Sequence, residues 1–180
     1  KRQAIAEALF GDYNPGGRLA VTFPKSVGQI PFAFPFKPGS DESSETSVYG
    51  ALYPFGHGLS YTTFQYSDLV ISPSKQGVQG NISISCTIKN IGQREGDEVV
   101  QLYLRDEVSS VTTYTQVLRG FERITLKPEA SHTVHFELTP QELGIWDKQM
   151  NFTVEPGMFK VMIGSSSKDI RLKGEFEIAQ

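Results

Sequence analysis

Cysteine is nearly absent from this sequence: Cys86 is the only one in 180 residues, which excludes an internal disulfide and a multi-cysteine zinc site. It falls within an alternating strand pattern, where a buried structural thiol is expected. An excess of one charge is also missing. Seventeen Lys and Arg stand against 20 Asp and Glu, a net charge of −3, so there is no basic footprint for nucleic acid or an anionic membrane, and neither is expected as a partner. No run approaches the roughly 18 to 20 apolar residues that span a bilayer. The opening Lys1-Arg2-Gln3-Ala4-Ile5-Ala6-Glu7 lacks the apolar stretch of a signal peptide.

Glycine and proline are scarce over most of the chain and dense in one part of it. Residues 11–60 hold 8 Gly and 6 Pro, and the remaining 130 residues hold only 13 of the two together. The composition therefore changes near Tyr61, and a domain boundary is placed there, dividing the chain into 1–60 and 61–180. Before the boundary the only helical stretch is Lys1 to Phe10, with Ile5, Ala8 and Leu9 on one face and Gly11 placed to end it. The turn Asp12 to Gly17 and the strand-like Arg18 to Phe23 follow, as at the end of an α/β unit. One helix and one strand make no core. In Gln29-Ile30-Pro31-Phe32-Ala33-Phe34-Pro35-Phe36 three Phe alternate with small residues and prolines, which predicts an extended strap that covers something apolar. Ser40 to Glu45 has no apolar residue to bury and reads as a solvated loop.

After the boundary the period becomes two. In Ile82-Ser83-Ile84-Ser85-Cys86-Thr87-Ile88-Lys89 the even positions are apolar and the odd ones polar, the pattern of a half-buried strand. Val100, Leu102 and Leu104 repeat it, as do His132, Val134, Phe136 and Leu138, then Phe159, Val161 and Ile163. Leu172, Phe176 and Ile178 suggest a closing strand, and Phe64 to Ile71 and Val117 to Leu126 are further candidates. Seven or so short strands in about 120 residues, with turns such as Lys127-Pro128-Glu129-Ala130 and Glu155-Pro156-Gly157 between them, predict a mainly β chain folded as a β-sandwich. No periodicity in this part suggests a helix. Trp146, in an irregular connection after Leu143 and Ile145, is expected to cap one end of the core rather than form a sugar platform.

Candidate chemistry is sparse. His132 and His135 are three apart in a strand, so their side chains leave opposite faces and cannot share a metal. A core-edge role suits His132 and a solvent role His135. His57, in Gly56-His57-Gly58-Leu59-Ser60, matches neither a nucleophile elbow nor a dinucleotide fingerprint and reads as a tight structural turn. No two carboxylates are singled out as a glycosidase-type pair. No catalytic, cofactor-binding or metal-binding residue is therefore assigned, and no cofactor is expected. Asn81-Ile82-Ser83 and Asn151-Phe152-Thr153 match the N-glycosylation acceptor pattern, which short sequences often match by chance.

The ordered motifs carry a resemblance. Ala8-Leu9-Phe10-Gly11-Asp12-Tyr13-Asn14-Pro15-Gly16-Gly17-Arg18-Leu19, Val21-Thr22-Phe23-Pro24 and Val27-Gly28-Gln29-Ile30-Pro31 resemble the close of the α/β sandwich domain in glycoside hydrolase family 3, the β-glucosidases and β-xylosidases. Leu52-Tyr53-Pro54-Phe55-Gly56-His57-Gly58-Leu59-Ser60-Tyr61-Thr62-Thr63-Phe64 resembles that family's passage into a fibronectin type III-like, immunoglobulin-like sandwich. Gly96 to Tyr103, Leu118-Arg119-Gly120-Phe121, Leu138-Thr139-Pro140 with Trp146-Asp147, and Glu155-Pro156-Gly157 through Val161 to Gly164-Ser165-Ser166 continue it. Phe32 to Phe36 and Ser40 to Ser47 depart from the family pattern.

The resemblance implies the C-terminal portion of a retaining, exo-acting β-glycosidase, in which an aspartate forms a glycosyl-enzyme and a glutamate serves as acid and then base. Both lie upstream of the motif that opens this sequence, so Asp12, Glu42 and Asp147 are not carried over as catalytic, and the chain alone is expected to be inert. Its expected partners are the upstream catalytic domains and, through them, a β-glycoside. Self-association through residues 23–64 is a further expectation, and a secreted or periplasmic setting follows from the resemblance. The alternative reading is a stand-alone carbohydrate-binding or cell-surface module, for which Tyr103 and Tyr114 are the main aromatic candidates.

Overall fold

The computed structural model describes residues 2–30, 32–40 and 50–180. Ten strands and two α-helices are present among them. Helix α1 spans Arg2–Phe10, and the strands begin with β1 (Phe64–Ser72), β2 (Lys75–Gly77), β3 (Ile82–Asn90), β4 (Gly96–Asp106), β5 (Val117–Leu126) and β6 (Ser131–Leu138). Helix α2 (Pro140–Leu143), β7 (Ile145–Trp146), β8 (Phe152–Thr153), β9 (Gly157–Gly164) and β10 (Ile170–Ala179) complete the order.

Two sheets face one another, one ordered β1-β3-β6 and the other β2-β10-β9-β4-β5, with β7 and β8 as a separate hairpin. Strand β3 is central in its sheet. Its even positions, Ile82, Ile84, Cys86 and Ile88, have no exposed surface, as the alternation predicts. They meet Val100, Leu102 and Leu104 of β4, Val161 and Ile163 of β9, and the stacked rings of Phe159 and Phe176. Burial pushes the Cys86 thiol up to about 11, so it packs as a neutral apolar group.

The middle of strand β4, from Val100 to Leu104, is buried on both faces. Its core face carries Glu98, Val100, Leu102, Leu104 and Asp106, while on the other face Gln101 and Tyr103 are covered by the N-terminal segment. The Phe34 ring stacks on Phe55 with centroids 4.5 Å apart and meets Tyr103 edge-on at 5.7 Å. This is the aromatic strap, and Tyr103 is among what it covers. The strap is also anchored through its backbone, since Thr115 donates its N–H to the Phe36 carbonyl at 3.0 Å. Buried Gln29 fixes the approach: its side-chain oxygen accepts from the Lys25 N–H at 2.6 Å, and its amide donates to the Gly50 carbonyl at 3.0 Å.

Several expectations are corrected. Arg18 to Phe23 does not form a strand. Leu19 exchanges backbone hydrogen bonds with Gly56 and His57, the chain bends at Ala20 and Val21, and Phe23 makes an isolated bridge to Tyr53. The single neighbouring segment has Pro54 between the two contacts, so the ladder lacks a donor there. A helix does occur after the boundary: α2 is capped by Thr139, whose side chain accepts from the Gln141 N–H, while Glu142 reaches back to the Thr139 N–H. Trp146 does not cap the core. Helix α2 inserts Leu143 there, at 2% exposure, and the β7–β8 hairpin carries Trp146 outward to 59%. His132 is not at the core edge either, because the start of β6 is open to solvent and its side chain is half exposed, 3.7 Å from Glu122. The solvated loop expected over Ser40 to Glu45 falls, from Asp41 onward, outside the described residues, as does Glu42.

Candidate functional site

The N-terminal segment offers two different surfaces, a polar underside tied to the sandwich and an apolar outer side. Helix α1 ends at Gly11, where φ is +83°, and the chain turns down onto Asn14. The Asn14 amide donates to the Glu95 carbonyl at 3.0 Å, and its oxygen accepts from the Tyr61 N–H at 2.8 Å. Arg94 donates to the Gly11 carbonyl at 2.6 Å, and the Tyr61 hydroxyl donates to the Ala8 carbonyl at 2.7 Å. The underside is closed by Arg18, whose Nη2 lies 2.8 Å from a Glu98 carboxylate oxygen, with their side chains only 9% and 3% exposed. The second Glu98 oxygen accepts from the Tyr66 hydroxyl at 2.8 Å. Burial, reinforced by the Glu98 charge, raises the Tyr66 phenol far above its ordinary range and keeps it a donor.

A second tie lies three residues along β4, on its other face. The Gln101 amide donates to the carbonyls of Gly56, at 3.2 Å, and Ser165, at 2.6 Å, while its oxygen accepts from the Tyr103 hydroxyl. Gly56 sits at φ +81°, and a Cβ there would fall 2.1 Å from the Gln101 Oε1, so only glycine lets the turn approach so closely. His57 stacks on Tyr53 at 5.1 Å beside this turn, the structural role expected of it.

The outer side is unlike the underside. Ile5, Leu9 and Phe10 on α1 are 62%, 74% and 85% exposed, and Val21, Val27, Ile30, Leu52 and Leu59 are exposed in the segments that follow. No residue on α1 is buried. The apolar face read from Ile5, Ala8 and Leu9 is therefore present but points away from the sandwich, a placement that periodicity alone does not reveal.

Asp12 is exposed at the turn after α1. Asp147 closes a tight turn, accepting from the backbone N–H groups of Gln149 and Asn151 at 2.8 Å each, and these bonds hold its carboxyl below the usual range. Asp97, Glu107, Glu142 and Asp169 are likewise held low by hydrogen bonds to Thr125, Lys160, Thr139 and Arg171, respectively. A general acid needs the opposite shift. Asp106 is the exception: burial lifts it to about 6. Among the described residues no three His, Cys, Asp or Glu side chains converge as metal ligands, and no helix is long and apolar enough to cross a membrane. Tyr103, one of the two aromatics weighed as a sugar platform, is fully buried, while Tyr114 is 43% exposed. The two form no exposed row. Asn81 donates to Glu137 on the surface, and Asn151 belongs to the Asp147 turn.

Comparison with known proteins places the chain. Residues 1–61 match the glycosyl hydrolase family 3 C-terminal domain, and residues 98–167 match the fibronectin type III-like domain. The chain is 43% identical over 187 residues to a periplasmic beta-glucosidase of Salmonella typhimurium, covering 97% of the chain and 24% of that protein. It is 43% identical over 174 residues to a beta-xylosidase of Formosa agariphila, covering 94% of the chain and 24% of that protein. A beta-glucosidase structure from Erythrobacter marinus superimposes with a TM-score of 0.91 at 38% identity, over 98% of this chain and 23% of that one. The chain thus spans about a quarter of the length of the relatives it matches. It belongs to glycoside hydrolase family 3, corresponding to the C-terminal portion of that family's proteins, where the end of the α/β sandwich domain passes into a fibronectin type III-like sandwich.

Proposed function

We propose that this chain is the structural, non-catalytic portion of a retaining, exo-acting β-glycosidase that removes terminal β-glucosyl or β-xylosyl residues. The nucleophilic aspartate and the acid/base glutamate belong to upstream domains, and no residue of this chain takes part in bond breaking. The observation that carries this reading is the exposure of the apolar side chains Ile5, Leu9 and Phe10 on α1, held in a fixed pose by the Arg18–Glu98 and Asn14 ties beneath it. Three large apolar side chains on one short helix gain roughly 1.5–3 kcal/mol each when fully covered, enough to seat the helix on an α/β domain that lacks its last helix. The fibronectin-like sandwich then acts as a clamp, and residues 1–60 bridge it to the catalytic domains. The periplasmic setting of the Salmonella relative favours a secreted or periplasmic enzyme.

The test is complementation. The upstream catalytic portion and this chain, produced as separate polypeptides and mixed, are expected to hydrolyse aryl β-glucosides or β-xylosides, while neither hydrolyses them alone. Leu9→Glu and Phe10→Glu are expected to abolish complementation without altering the fold of the chain. Hydrolysis by this chain alone, or complementation unaffected by both charges, overturns the reading.

A further inference from the structure

Strand β4 presents a carboxylate at each end of its core face, Glu98 and Asp106, separated by three buried apolar residues, Val100, Leu102 and Leu104. Eight residues of strand separate them by about 27 Å, so they mark opposite ends of the sandwich. Glu98 is fully partnered by Arg18 and Tyr66. Among the described residues Asp106 accepts only the Val108 N–H, at 3.2 Å. Around Asp106 the sandwich opens into a cavity of about 290 Å³, at the low end of the roughly 300–1,000 Å³ of small-ligand pockets. Leu104, Leu143 and Phe159 line it from the core, and Tyr114, Trp146 and Arg119 line it from above.

Arg119 stands there because of a bulge. Leu102 pairs with Gly120 and Tyr103 pairs with Leu118, which leaves Arg119 as the extra residue, and such an insertion re-aims a side chain. Its Nε is buried and has no hydrogen-bond partner, and no ion pair joins it to Asp106 among the described residues. Buried polar groups without partners are uncommon and costly. The cavity therefore combines an under-used acceptor, a guanidinium of opposite charge whose Nε has no partner although the Glu142 carboxylate acts on its charge, and an exposed indole set edge-on against Phe152 at 5.5 Å. An ionic ligand would meet a like charge at one of the two groups. A neutral polyhydroxy ring satisfies both, donating to the carboxylate, accepting from the guanidinium and laying its C–H face on an aromatic ring.

We propose that this cavity binds one neutral pyranose unit, stacked on Trp146 and hydrogen-bonded between Asp106 and Arg119. The volume admits a single ring, so the unit is either a free sugar or the end of a β-linked oligosaccharide. The site lies on the sandwich, apart from the exposed helix face, and requires no hydrolytic activity.

Trp146 is the only tryptophan in the sequence, so its fluorescence reports on the cavity directly. The 180-residue chain is titrated with glucose, xylose, cellobiose and xylobiose, and with glycerol as a control. A saturable change in emission at millimolar sugar is expected. Asp106→Asn and Arg119→Met are each expected to weaken it about tenfold, the equivalent of one hydrogen bond to a charged group. Trp146→Ala, followed by calorimetry, is expected to abolish binding, and because that side chain is mostly exposed the melting temperature serves as the fold control. Response to the monosaccharides assigns a free-sugar site, and response to the disaccharides alone assigns a chain-end site. A linear response matching glycerol, or saturable binding unchanged in all three folded variants, overturns the proposal.

Discussion

Removing the Arg18 guanidinium should detach the N-terminal segment from the sandwich. Its partner Glu98 has only 3% of its side chain exposed, and of the two oxygens one depends on Arg18 and the other on Tyr66. In Arg18→Met the Glu98 charge stays buried with a single neutral donor. Breaking a buried pair from one side typically costs about 3–5 kcal/mol, because it strands the remaining charge. The Tyr66 hydroxyl still serves Glu98, which puts the expected loss at the lower end, about 3 kcal/mol. Arg18→Met combined with Glu98→Leu removes both charges, and replacing a buried pair by apolar groups is often close to neutral. The double variant should therefore recover most of the loss. Urea denaturation of the four proteins measures the cycle, and hydrogen exchange at Leu19 and Phe23 locates the effect. If Arg18→Met costs less than about 1 kcal/mol, or if the double variant is worse than the single one, the pair does not hold the segment as argued.

Other outcomes follow from neighbouring features. Phe34→Ala and Phe55→Ala each remove half of a stacked pair that covers Tyr103 and are expected to cost about 2 kcal/mol in thermal or urea unfolding, below a fully buried Phe truncation because both rings are only half-buried; unchanged melting would count against the strap. Gly56→Ala meets both a positive φ and the Gln101 side chain and is expected to destabilise by about 2 kcal/mol, read by the same unfolding curves. Asp106 is raised from 3.8 to about 6, first by burial and then by the negative charges of Glu155 and Glu107, and Lys37 and Arg119 share its cavity. Its favourable contribution is thus present below pH 3.8 and is lost as the pH rises through 6. Melting curves should show Asp106→Asn more stable than the parent chain at pH 7 and no longer so near pH 4.

The sandwich was legible because its strands are half-buried and strictly alternating. Ile82, Ile84, Cys86 and Ile88 could face only one way, and they do. Position 18 was harder. An arginine in a strand-like stretch gives no sign of its partner, since Glu98 lies 80 residues away and becomes adjacent only when β4 passes under the segment. The apolar stripe of α1 was visible in Ile5 and Leu9, yet periodicity reports that a face is apolar and not which body covers it. Helix α2 was missed for a different reason. Four residues are too few for a period, and its signal was the capping pattern Thr139-Pro140-Gln141-Glu142, whose consequence is that Leu143 and not Trp146 closes the core. The bulge at Arg119 has no signature in composition, because it exists only in the mismatch between two paired strands.

The junction at residues 60 and 61, where the composition changes, is also where the two parts are stitched together. Ser60 and Tyr61 both bond to Asn14, and Thr62 bonds to the buried Asn90. Together with the Tyr61 hydroxyl on the Ala8 carbonyl, these bonds tie the helix and the sandwich into one unit. Trimming a gene at position 61 would lay bare Glu98, Gln101 and Tyr103 together, leaving a sticky, uncompensated patch where a smooth domain surface was intended.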